Sequence, residues 1–123
     1  MKSLPDISDK YSDEIQIGKL ILNSYGKIKS VAGEIYTVSC SDDNSIVKKA
    51  LASKGNNKVL IIDASGVSHA SMIGDQIAES AVKNNWAGIV VNGCVRDVEE
   101  LKNLPIGIFA KGAVAQKTNK KKP

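Results

Sequence analysis

The chain has 123 residues, 42% of them hydrophobic and only five aromatic, which suits one domain with a core of Val, Ile, Leu and Ala. No apolar run approaches the roughly 18 residues of a membrane span, and MKSLPDISDKYSDEI at the start holds no signal-peptide core, so a soluble cytoplasmic protein with no membrane partner is expected. The formal charge of +4 is misleading: residues 111–123 carry five lysines and no acid, which leaves 4 − 5 = −1 for residues 1–110.

The Lys-rich end, 113–123, therefore reads as a solvated tail on a near-neutral body. No aromatic stacking platform is interleaved with the basic residues, which argues against a nucleic-acid surface. Cys40 and Cys94 share no metal-ligand spacing, and the single His69 cannot complete a zinc set. Both cysteines are expected as buried thiols rather than a disulfide.

In chain order, the first clear pattern is Ile15–Leu22, followed by a turn at Tyr25-Gly26. Val31–Cys40 alternates and is rich in β-branched residues, so it is expected as a strand, assigned to a second layer. Ser41-Asp-Asp-Asn44 is a helix-start cluster, because short polar side chains accept first-turn amides. The following helix, Ser45–Ser53, shows an apolar stripe of Ile46, Val47, Ala50 and Leu51. Gly55-Asn-Asn57 ends it. Lys58–Asp63 is a continuous apolar run closed by an acid, the pattern of a buried parallel strand.

Ala64-Ser-Gly66 turns away, and the Ser65–Ser71 stretch places His69 in a loop. A second helix is expected from Asp75, with Ile77, Ala78, Ala81 and Val82 on one face, ending at Asn84-Asn85. Trp86 is assigned to core or subunit packing. Gly88–Val91 is a second buried strand, Asn92-Gly93 a sharp turn, Val95–Lys102 a short helix and Leu104–Ala110 a last strand. Strand and helix alternating over residues 58–110 imply right-handed crossovers and a parallel sheet, an α/β domain.

In such sheets ligands bind beyond the carboxyl ends of the strands. Two ends are visible, Asp63–Gly66 and Asn92–Asp97. Gly93 allows a tight turn that exposes amides to an anion. Arg96 offers a planar cationic fork suited to a carboxylate, and Asp97 a hard oxygen suited to Mg²⁺ or Mn²⁺. The structural alternative is that Asp75 caps its helix and that Arg96-Asp97 is a solvated helix start, with Asp97, Glu99 and Glu100 favoured there by the helix dipole.

The stretch GDQIAESAVKNNWAGIVVNGCVRDVEEL, with GEIYTVSCSDDN and VLIIDASG upstream, resembles the RraA-like family. That family holds class II pyruvate aldolases acting on 4-hydroxy-4-methyl-2-oxoglutarate and the regulator of ribonuclease E activity. The aldolase motif is an Asp, twenty residues, Arg-Asp, and an acid three residues further. Here it reads as Asp75, residues 76–95, Arg96-Asp97 and Glu100. The resemblance covers roughly residues 15–112, taken as the domain (1–112).

It implies a three-layer β/β/α swivelling-type α/β domain, assembled as a homotrimer or hexamer. Family members usually continue further, so the copy is expected to be C-terminally short. It also implies roles. Gly74, Asp75, Gln76 and Ile77 would lie along a small 2-keto acid, helix-start amides receiving its carboxylate. Arg96 would bind the keto acid and its developing enolate, Asp97 would hold a divalent cation (Mg²⁺ or Mn²⁺) with several waters, Asp75 would orient water and assist proton transfer, and Glu100 would act in the outer shell. Aldol cleavage and oxaloacetate decarboxylation pass through the same pyruvate enolate. The other branch binds ribonuclease E without catalysis; a regulator needs a surface rather than Asp97, and the intact Arg96-Asp97 pair favours metal chemistry.

Overall fold

The computed structural model describes residues 22–40, 44–64 and 71–114. The two apolar runs form the centre of its sheet. β3 (Val59–Asp63) and β5 (Gly88–Val95) pair in parallel from Val59↔Gly88 to Asp63↔Asn92. β2 (Ile35–Ser39) adds in parallel outside β3, and β6 (Gly107–Ala113) in parallel on the far side of β5. β1 (Asn23–Ser24) closes the β6 edge in antiparallel. A short β4 (Ser71–Ile73) pairs with the last residues of β5, beyond the point where β3 stops.

The helices are α1 (Ser45–Leu51), α2 (Asp75–Lys83) and α3 (Val98–Leu101). The parallel strands β2, β3, β5 and β6 stand side by side in chain order. Every crossover therefore steps the same way, and right-handed crossovers put all three helices on one face. α1 packs on α2 and α2 on α3. Beneath them Leu60, Ile62, Ile89, Val91, Ile108 and Ala110 are completely buried, joined by Val47 and Leu51 of α1 and by Ala78 and Ala81 of α2. Each buried Leu or Ile contributes about 1.5–3 kcal/mol, so this side anchors the domain.

The other face is shallower. Its row Ile61, Val90 and Phe109 is only half-buried. Val31 lies over Gly88 and Gly107; a Cβ on Gly107 would come 2.4 Å from Val31 Cγ1. Trp86 is buried, donates Nε1–H to the Ser53 carbonyl at 3.0 Å, and packs on Gly55 and on the Tyr36 ring, 6.2 Å between centroids. Asn85, just past α2, takes a left-handed conformation (φ 64°), which Asn tolerates and which ends the helix.

Several expectations are corrected. The 31–40 strand belongs to the main sheet, not to a second layer: residues 31–34 are irregular, and Ile35–Ser39 pairs with β3 along its whole length. Asn92-Gly93 is not a turn. β5 runs through it to Val95, and the register shift against β6 between Val91 and Cys94 marks an irregularity of the kind a strand glycine permits. The anion nest expected of a turn at Gly93 is therefore absent. Ile46 points to solvent at 46% exposure, so the α1 stripe narrows to Val47 and Leu51 with Ala50 at its margin.

β4 was not expected. The two cysteines do not form a disulfide with each other; Cys94 is buried and Cys40 partly so. Most of the Ile15–Leu22 pattern, the 41–43 part of the helix-start cluster, the His69 loop and residues 115–123 of the tail lie outside the described residues. Among the described residues no helix is long and apolar enough to cross a membrane.

Candidate active site at the carboxyl ends of two strands

β4 and β5 end side by side. Gly74, extended at φ −119° and ψ −172°, leads from β4 into α2. On the neighbouring strand the Arg96 amide donates to the Ile73 carbonyl at 2.9 Å, which carries the ladder one residue past β5. The chain then turns at Asp97, whose backbone is left-handed (φ 59°, ψ 44°), and α3 begins. Few residues other than glycine sit there, and Asp is one that tolerates it.

That turn decides where the Asp97 carboxylate goes. It makes no side-chain cap on α3, although Asp97 is the residue before that helix. Instead Oδ2 accepts the Asp75 N–H at 3.1 Å, at the first residue of α2, and lies 3.6 Å from Arg96 Nε. An acid at the positive end of a nine-residue helix is favoured, and an unpaired first-turn amide is satisfied. Both contacts fall on Oδ2; Oδ1 takes no hydrogen bond from the described residues. Arg96 and Asp97 side chains are 26% and 29% exposed, so the pair is open to a ligand.

The structure thus brings Gly74, Asp75, Arg96 and Asp97 together. The amides differ from the expected cradle: Asp75 N–H is engaged by Asp97, and Gln76 N–H by the Asp75 Oδ1 at 2.8 Å. Ile77 N–H is left without a partner among the described residues, so it is the first-turn donor still available. The Gln76 side chain is exposed and lines an outer groove of α2 with Glu79, Ser80, Lys83 and Asn84. Glu100 is exposed on α3 and is joined to the site only through its backbone, its N–H reaching the Asp97 carbonyl at 3.0 Å.

The second strand end, Asp63, sits level with Asn92, whose Nδ2 donates to Asp63 Oδ1 at 3.3 Å. β5 continues three residues past that level, so the Asp63 end and the Arg96-Asp97 end stand at different heights rather than on one edge. What the sequence reading missed is β4. Its only signal is the apolar pair Met72-Ile73 ahead of Gly74-Asp75.

The model of the RraA-like family, Aldolase/RraA, matches residues 4–123. The chain belongs to the RraA-like family. The expected RraA-like α/β fold is therefore what these strands and helices build.

A relative from Marinomonas sp. is 43% identical over 118 residues, 96% of this chain and 73% of its own, and is provisionally named a 4-hydroxy-4-methyl-2-oxoglutarate aldolase. One from Shewanella oneidensis with the same name is 42% identical over 95% of this chain and 71% of its own. Among solved structures, RraA from Thermus thermophilis, described as an RNA-processing inhibitor, superposes with a TM-score of 0.94 at 34% identity, over 100% of this chain and 74% of that one. A Geobacillus kaustophilus protein described as an S-adenosylmethionine: 2-dimethylmenaquinone methyltransferase superposes with a TM-score of 0.95 at 33% identity, over 99% and 76%. These names disagree about activity while the fold agrees, so activity must be argued from the site.

Gly74 is the tightest point of that site. A Cβ there would lie 3.0 Å from Asp97 Oδ2 and 3.3 Å from Arg96 Nε. Its extended backbone suits alanine, so Gly74→Ala acts by pushing the pair away rather than by strain. Gly74→Ala is expected to lower kcat/KM for whatever reaction the site carries about tenfold or more, as sub-ångström misplacement does, while the thermal midpoint barely moves. Equal losses in both would point to a general packing defect.

Proposed function

We propose that the protein is a divalent-metal-dependent lyase that cleaves 4-hydroxy-4-methyl-2-oxoglutarate-type 2-keto acids to pyruvate and decarboxylates oxaloacetate. The observation that carries this reading is the joint between β4 and β5: Arg96 and Asp97 meet the start of α2, with Asp97 Oδ1 left open. The donor set fits Mg²⁺ or Mn²⁺. No group of three or more His, Cys, Asp or Glu side chains among the described residues forms a metal cage, and Mg²⁺ is commonly held by one or two carboxylates with waters and substrate oxygens.

Asp97 would hold the cation through Oδ1. When bound, the cation supplies Lewis acidity to the keto acid. Arg96 engages Asp97 through Nε, and its two terminal nitrogens are free to grip the substrate carboxylate and the oxygen on which enolate charge develops. Ile77 N–H, at the positive end of α2, adds a donor for the same anion. Asp75 has one oxygen held by the Gln76 amide and the other free to position water and pass a proton to the enolate carbon, which yields pyruvate.

The test mixes purified protein with oxaloacetate or 4-hydroxy-4-methyl-2-oxoglutarate and follows pyruvate with Mg²⁺ or Mn²⁺, then with chelator. Release that starts with metal and stops with chelator is expected. No metal-dependent release would overturn the reading. The likeness to the RNA-processing inhibitor favours a second reading, a non-catalytic regulator that captures ribonuclease E, and a pull-down with that enzyme tests it.

A further inference from the structure

β4 is three residues long and, among the described residues, pairs only with β5. Its alternate carbonyls face opposite ways. That of Ile73 points to β5, where it accepts the Arg96 amide. The Met72 carbonyl therefore points to the side where no strand of the described residues follows, yet Met72 is completely buried. A buried carbonyl needs a donor, and Asn44 supplies it: its Nδ2 lies 3.3 Å from the Met72 oxygen across 28 residues of chain. Asn44 precedes α1, where Asn side chains commonly cap the helix, but it makes no such cap. It is only 7% exposed, and its Oδ1 is buried without a partner. The side chain thus stands where the next strand would be and fastens β4 from its open side.

We infer that Asn44 is a positioning residue for the Gly74-Asp75/Arg96-Asp97 joint. Met72 is two residues before Gly74, and the joint has no slack: a Cβ at Gly74 would already press on Asp97 Oδ2, and the Asp75–Asp97 bond is 3.1 Å long. Without the Asn44 amide, the Met72 carbonyl can be satisfied only if β4 shifts or opens to water. Either movement carries Gly74 and Asp75 away from Asp97.

The experiment measures residue-resolved amide hydrogen exchange in the full-length wild type and Asn44→Ala, with kcat and KM for pyruvate release measured in parallel. Val47→Ala is the control: it removes a fully buried side chain from α1 but leaves the Asn44–Met72 hydrogen bond in place. In Asn44→Ala, exchange at Asp75 and Arg96 is expected to speed up while the amides of β3 stay as in wild type, and kcat to fall about tenfold with KM little changed. Val47→Ala should lower the thermal midpoint but leave kcat and the Asp75 amide alone.

Unchanged exchange at Asp75 in Asn44→Ala, or an equal kcat loss in Val47→Ala, overturns the inference. If Asn44→Ala does not fold, Asn44→Ser decides by the same measurements, since serine can cap α1 but is too short to reach Met72. The kinetic arm rests on the proposed lyase reading. The exchange arm does not, so a wild type that releases no pyruvate would sink that reading and still leave Asn44 to be judged.

Discussion

Asp97→Asn is expected to fold like the parent and to lose metal-dependent pyruvate release by about 100-fold or more, since a cation at a reacting oxygen is worth several kcal/mol of charge stabilisation. The substitution separates two jobs that one side chain performs. The structural job is to occupy a left-handed backbone position and accept the Asp75 N–H. Asparagine does both, because it tolerates that conformation as well as aspartate and offers one carbonyl oxygen. The chemical job, under the proposed function, is to present a charged oxygen to a hard cation, which an amide does poorly.

Asp97→Ala removes both. It should also lose about 1–3 kcal/mol of stability, from a non-glycine residue without polar compensation at positive φ and from the missing bond at the start of α2. Kinetics with Mg²⁺ titrated, beside urea unfolding, read the two effects apart. An Asp97→Asn protein with full activity would remove Asp97 from the chemistry and return it to the role of a helix cap.

The strands that carry the site were legible because burial on both sides leaves a continuous apolar run, as in Val59–Ile62 and Gly88–Val91. The interval between Asp75 and Arg96 was legible too: it holds α2, a turn and β5, the length that returns the chain to the same end of the sheet. Three things were not. β4 is too short to show a period, and its strand character comes from the β5 residues beyond the reach of β3. Gly93 reads as a turn locally, but β6 and β4 on either side hold β5 extended through it.

The direction of the Asp97 carboxylate depends on one positive φ, and the residue types around it suit a cap on α3 equally well. The sequence therefore named Arg96 and Asp97 but could not tell which helix they serve. The left-handed turn assigns them to α2, a helix that begins 22 residues earlier.

Arg96→Lys is expected to raise KM for oxaloacetate about tenfold or more and to lower kcat as well, although the charge is unchanged. Arg96 reaches Asp97 Oδ2 with Nε at 3.6 Å, a loose and partly exposed pair that contributes little to stability by itself. Its value lies in what the contact leaves over. With Nε turned to Asp97, the terminal nitrogens form a fork that fits a carboxylate with two parallel hydrogen bonds. A lysine has one ammonium for both partners. Held to Asp97, it gives up the substrate; turned to the substrate, it leaves Asp97 without its neighbouring charge.

Loss of the carboxylate grip weakens substrate and transition state alike and appears in KM. Loss of stabilisation at the developing enolate appears in kcat, because that charge exists only as the bond breaks. Initial rates at saturating Mg²⁺ across a range of oxaloacetate separate the two. A rise in KM alone would confine Arg96 to holding the carboxylate, and unchanged values of both would show that charge without the fork is enough.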